Sequence, residues 1–73
     1  MANNIYSAEY KQVTEKLRSA RLESGLTQEE VAKKLGKPQS YVSKSEAGER
    51  RLDVTELKKF AVLYKKTINF FIK

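Results

Sequence analysis

The stretch Gly25-Leu26-Thr27-Gln28-Glu29-Glu30-Val31-Ala32-Lys33-Lys34-Leu35-Gly36, followed three residues later by Ser40-Tyr41-Val42-Ser43-Lys44-Ser45-Glu46-Ala47-Gly48, decides the fold. Thr27 with a glutamate three residues on has the spacing of a capping box, in which each side chain accepts a hydrogen bond from the other's backbone N–H. That predicts a short helix with Val31, Ala32 and Leu35 facing inward. It stops at Gly36, where a positive φ is expected and glycine adopts it at least cost. A second short helix is expected from Pro38 or Gln39 to just before Gly48, with Val42 inward. Proline suits the first turn of a helix because it has no N–H to satisfy. Ala32 is small where the two helices must cross closely. The other face of the second helix carries Gln39, Ser40, Tyr41, Ser43 and Lys44, all polar or hydrogen-bonding and none acidic. A helix with that face is suited to lie against base edges in the DNA major groove.

Outward from this pair the chain stays helical. Toward the N-terminus, Tyr10, Val13, Leu17 and Ala20 recur at intervals of three and four and make one apolar stripe. They predict a helix from about Ala8 to Ser24, with Ser7 as its cap and Gly25 as its stop. Toward the C-terminus, Asp53-Val54-Thr55-Glu56 repeats the capping-box spacing. It opens a helix whose inner face is read as Val54, Leu57, Phe60, Ala61 and Tyr64. A last turn or two from Thr67 carries Ile68, Phe71 and Ile72. No segment alternates as a half-buried strand does. The expectation is an all-α fold of five helices in one domain spanning 1–73. Its core lies at about 13–72, the helix pair at about 28–47, and a flexible N-terminus at 1–7.

Composition bounds what this domain does. With 73 residues, no cysteine and no histidine, the chain has no disulfide or thiolate metal site, and it lacks the usual general base and the commonest zinc ligand. No glycine-rich phosphate loop occurs. The adjacent Glu29 and Glu30 read as first-turn charges that suit the helix dipole. An enzyme, a metal site and a cofactor are therefore not expected. No apolar run approaches the roughly 20 residues of a membrane helix, and Met1 to Tyr6 do not read as a signal peptide; a cytoplasmic protein is expected. The formal net charge of +6 suits a polyanionic partner. The charge is spread: four bases against three acids in 1–26, six against four in 27–51, five against two in 52–73. Any DNA-facing surface must be assembled by the fold.

The stretch from Leu17 to Arg50, LRSARLESGLTQEEVAKKLGKPQSYVSKSEAGER, resembles the phage Cro/repressor-type (xenobiotic response element, XRE) helix-turn-helix family, and the likeness runs from about Val13 to Ile72. The resemblance implies a five-helix lambda-repressor-like domain that binds double-stranded DNA as a transcriptional regulator, most often a repressor, with the third helix in the major groove. By position, Gln28 matches a glutamine that contacts phosphate and buttresses the reading helix. Gln39 and Ser40 match a Gln-Ser pair that begins that helix, and a glutamine there can pair with adenine N6 and N7. Lys44 is placed to reach guanine or phosphate. Tyr41 and Ser43 are candidates for phosphate, the tyrosine ring also for a thymine methyl or for packing sideways on the fold. Arg50 and Arg51 are expected on the DNA backbone. Arg21 and Glu46 match a partly buried ion pair tying the first helix to the end of the third.

Some residues depart from the family pattern. Ser45 stands where isoleucine or leucine is usual, and a small void is expected there. Pro38 replaces a capping serine or threonine. Lys65 and Lys66 stand where glycine and valine are frequent, which weakens the helix stop. The apolar end, Ile68 to Ile72, has two uses: Phe71 and Ile68 closing the core, or Phe70 and Ile72 making a two-fold contact in a homodimer on a palindromic operator. The competing function is a protein-interaction module of the same fold, such as an antitoxin or anti-repressor. A steep salt dependence of DNA affinity separates the two.

Overall fold

In the computed structural model, residues 8–72 are described; the expected flexible segment 1–7 and the Ser7 cap lie outside them. Five helices follow one another: α1 (Ala8–Glu23), α2 (Gln28–Leu35), α3 (Gln39–Ala47), α4 (Val54–Leu63) and α5 (Ile68–Ile72). No strand occurs among the described residues.

Local chemistry sets the helix starts. Thr27 accepts from the Glu30 N–H at 3.1 Å while Glu30 accepts from the Thr27 N–H at 2.8 Å. Asp53 and Glu56 do the same for α4 at 2.8 and 3.0 Å. Pro38 caps α3 with no side-chain hydrogen bond. A cap of this kind contributes about 1 kcal/mol, so α3 depends more than α2 or α4 on its packing.

The helix ends repeat one device, the Schellman motif. After α2, Lys37 N–H reaches the Ala32 carbonyl at 2.9 Å and Gly36 N–H reaches Lys33 at 3.1 Å. The same pair of bonds follows α1 and α3. After α4 it is made by Lys66 to Ala61 (2.8 Å) and Lys65 to Val62 (3.1 Å). The motif requires a left-handed residue. Gly36 supplies it at φ 70°, and at the α4 end Lys65 supplies it at φ 60°. The hydrogen bonds thus close the turn even without glycine, at the cost of strain in a residue with a Cβ. Lys65→Gly is expected to raise stability by about 0.5–1 kcal/mol, read as a higher urea midpoint at unchanged slope. Equal midpoints count against strain at this residue.

The core is drawn from every helix: Leu17 and Ala20 of α1, Val31 and Ala32 of α2, Val42 of α3, Leu57, Phe60 and Ala61 of α4, Tyr64 after it, and Phe71 of α5. Each large side chain among these contributes about 1.5–3 kcal/mol of burial. One position of α4 differs from the periodicity reading. Val54, assigned to the inner face of α4, is 73% exposed. It lies in the first turn of α4, and the buried stripe of that helix begins at Leu57. Leu35 is half-buried and packs against the core, as its inward reading requires. Ser45 is fully enclosed, and its hydroxyl donates to the Tyr41 carbonyl at 2.6 Å, so its polar atom is satisfied within its own helix. Phe71 is buried and Ile68 half-buried against the core. The Tyr64 hydroxyl is buried with no hydrogen-bond partner among the described residues. Burial pushes its pKa well above the ordinary phenol value.

Candidate nucleic-acid interface

The interface is built outward from a buried charge. Arg21, in the last turn of α1, donates from Nε to Glu46 Oε2 at 2.7 Å and from Nη2 to Oε1 at 3.2 Å. Its Nη1 donates to the Leu26 carbonyl at 2.9 Å. The two side chains are only 8% and 4% exposed. The hydrogen bond to Glu46 raises the Arg21 pKa above its ordinary value, so the guanidinium stays charged inside the fold. The pair fastens α1 to the end of α3.

From that pair a polar chain leads to the start of α3. Gln28, first residue of α2, donates from Nε2 to Glu46 Oε1 at 3.0 Å. Gln39, first residue of α3, donates from its own Nε2 to Gln28 Oε1 at 3.5 Å, the outer limit for such a bond. Arg21, Glu46, Gln28 and Gln39 therefore form one relay from the interior to an exposed amide. Ser40 and Lys44 are exposed on the same helix. Ser43 is half-buried, and its hydroxyl donates to the Ser40 carbonyl at 3.3 Å.

The other expected contact residues gather around the loop that follows α3. Tyr41 packs sideways on α4. Its ring stacks on Phe60 with centroids 6.1 Å apart and planes 4° apart, and its hydroxyl donates to Glu56 Oε2 at 3.3 Å. Burial first, then the Glu56 carboxylate, raises the pKa of that hydroxyl. The Arg50 guanidinium lies 4.4 Å from the Tyr41 ring centroid, and the Lys37 ammonium 5.3 Å. Arg50 also donates to Glu56 Oε2 at 2.9 Å and to the Arg51 carbonyl at 3.2 Å. It is thus spoken for on several sides. Arg51 is exposed, with its guanidinium 4.6 Å from the Tyr10 ring centroid.

Tyr10 is the residue that periodicity alone mistook. It falls on the apolar stripe of α1, yet its hydroxyl donates to the Arg50 carbonyl at 3.3 Å and accepts from the Leu52 N–H at 3.2 Å. One side chain thereby ties the first helix to both sides of Arg51 while its ring supports that arginine. A tyrosine where the stripe asks only for an apolar residue was the available signal.

Glu56 links this loop to pH. The Arg50 guanidinium, then the Asp53 backbone N–H, hold its carboxyl below the ordinary value. The unfolded chain therefore takes up this proton at higher pH than the folded one. The stability involved is complete above the ordinary carboxylate range and is lost as pH falls through the lowered pKa. Because the pair is partly exposed, solvent screens it and its contribution is small. Glu56→Gln is expected to flatten the decline in melting temperature between about pH 5 and pH 3; a decline as steep as that of the unsubstituted protein leaves Glu56 without that role.

No described helix is long and apolar enough to cross a membrane. No curated protein and no solved structure matches the chain. A family model described as helix-turn-helix matches residues 17–71, from the middle of α1 to α5. With α2 and α3 as the helix pair and a match over most of its length, the chain belongs to the XRE-type family of DNA-binding helix-turn-helix regulators.

Proposed function

We propose that the protein is a sequence-specific regulator, acting as a repressor in the cytoplasm, that lays α3 in the major groove of double-stranded DNA. The observation that carries this reading is the relay from the Arg21–Glu46 pair through Gln28 to Gln39. It leads from the buried pair to an exposed amide at the first turn of α3, where a side chain can reach a base edge. Gln39, Ser40 and Lys44 are then the base-facing set, with Ser43 beside them. Gln28 meets phosphate at the start of α2, where free N–H groups favour an anion. Arg51, supported by Tyr10, takes the phosphate backbone, and Arg50, stacked on Tyr41, stiffens the loop beside it. The test is selection of bound sequences from random duplexes, with affinity measured against salt. One recovered motif and a steep salt slope support the reading; no enriched sequence together with a flat slope counts against it.

Two copies are proposed to bind a palindromic operator, half-sites about 34 Å apart. Ile72 is 58% exposed, and Phe70 is half-buried with its ring edge-on to Phe71 at 5.0 Å. These two side chains are offered as the contact. Sedimentation on operator DNA that shows one copy per duplex removes the dimer from this scheme.

Tyr10→Phe probes the loop. It keeps the ring under Arg51 and deletes both hydroxyl bonds. Duplex affinity is expected to fall about three- to tenfold, near 1 kcal/mol, equally for operator and random DNA. Fluorescence anisotropy at fixed salt measures it, and unchanged affinity for both duplexes removes Tyr10 from the interface.

A further inference from the structure

On the side of α4 that faces the last turn of α2 lies a groove of about 490 Å³. Its apolar floor is made by Leu35 and Leu63, both half-buried, and by Val62, which is 68% exposed. Its rim carries Lys34 from α2 and Lys58 and Lys59 from α4. None of these three ammonium groups takes part in an ion pair or cation–π contact among the described residues. Of the carboxylates on neighbouring elements, Glu30 is engaged in its capping box, Glu56 with Arg50 and Glu46 with Arg21, while Glu29, in the first turn of α2, does not line the groove. A smaller depression shares Leu35 and Lys59 and continues toward α3, adding Lys37. No residue of the proposed base-facing set lines either one.

We propose that this groove docks an acidic amphipathic helix of a partner protein, distinct from the DNA surface. The floor takes the apolar face of such a helix, and the three uncompensated lysines take carboxylates on its flanks. Helix-in-groove recognition needs both parts, an apolar strip for affinity and flanking charge for register and selectivity. Nucleic acid is the poorer fit, because a sugar-phosphate strand has nothing to lay on Leu35, Val62 and Leu63. A second copy of this chain is also a poorer fit, because the exposed large apolar side chains of its described helices, Leu22 of α1, Val54 and Val62 of α4 and Ile72 of α5, form no continuous apolar strip on one helix.

The probe is a synthetic helical peptide of about 14 residues, with leucines along one face and glutamates flanking them. A second peptide has the glutamates replaced by glutamines and a third by lysines. They are titrated into the full chain labelled with nitrogen-15. The expected result is amide shifts centred on Leu35, Lys58, Lys59, Val62 and Leu63, saturating at about tens of micromolar. The glutamine peptide should bind about fivefold more weakly, the lysine peptide not measurably, and added salt should weaken the glutamate peptide. Lys58→Gln with Lys59→Gln, and separately Val62→Asn, should each weaken it about fivefold while the melting curve stays two-state. All these side chains are exposed, so the fold is not at stake. Three results overturn the proposal: equal binding of the three peptides, shifts centred elsewhere, or the same amides shifting with duplex DNA or with rising protein concentration alone.

Discussion

Arg21→Ala should lower the melting temperature by about 12 °C or more. Removing one partner of a buried ion pair strands the other, at a cost of about 3–5 kcal/mol, and a domain of this size loses about 4–8 °C for each kcal/mol. Three of the guanidinium's bonds vanish together, two to Glu46 and one to the Leu26 carbonyl. The Glu46 carboxylate then keeps only the Gln28 amide, at 3.0 Å. Total stability for a chain of 73 residues is about 4–11 kcal/mol, so the loss takes at least about a quarter of it. The double variant Arg21→Ala with Glu46→Ala should recover part of the loss, because no charge is left buried alone. Calorimetry of the two variants beside the unsubstituted protein reads both effects. A melting temperature unmoved by Arg21→Ala shows the pair to be solvated and idle.

Gln39→Ala should leave the fold intact and change what is read. On the proposed mode of binding, the variant loses about 1–3 kcal/mol of discrimination at a single base pair, while affinity for random duplex barely moves. The side chain is exposed and its one bond, to Gln28, is 3.5 Å long, so little stability goes with it. Repeating the duplex selection with this variant should relax one position of the recovered motif. Uniform weakening at every position instead makes Gln39 a backbone contact.

Much of the architecture was legible because the signals that set it are local. Thr27 with Glu30 and Asp53 with Glu56 announce helix starts in four residues each, and Gly25, Gly36 and Gly48 announce stops. The resemblance to the XRE family rested on the same stretch that the family model matches. Where the reading went astray, the deciding neighbour was distant. Val54 shares the spacing of Leu57 and Phe60, but periodicity does not reveal that the buried stripe of α4 begins only at Leu57. Tyr10 is spaced as an apolar residue, yet its hydroxyl is set by a loop 40 residues away; of the alternatives open for Tyr41, the structure shows the sideways packing, on α4. Lys65 was expected to weaken a stop, and the chain turns there regardless, because two backbone bonds outweigh the strain of one residue. The resemblance already paired Arg21 with Glu46 and set Gln28 against the reading helix; the bonds from Gln28 to Glu46 and from Gln39 to Gln28 needed coordinates.

The repeated close of each helix by two short-span backbone bonds bears on how the chain reaches this state. Each of the first four helices carries its own reversal, completed within a handful of neighbours, so the path of the backbone is largely settled before remote parts must meet. Chains organised in this way search little and arrive fast, on the scale of about microseconds to milliseconds. In such a chain, speed of assembly is a property of its corners more than of its interior.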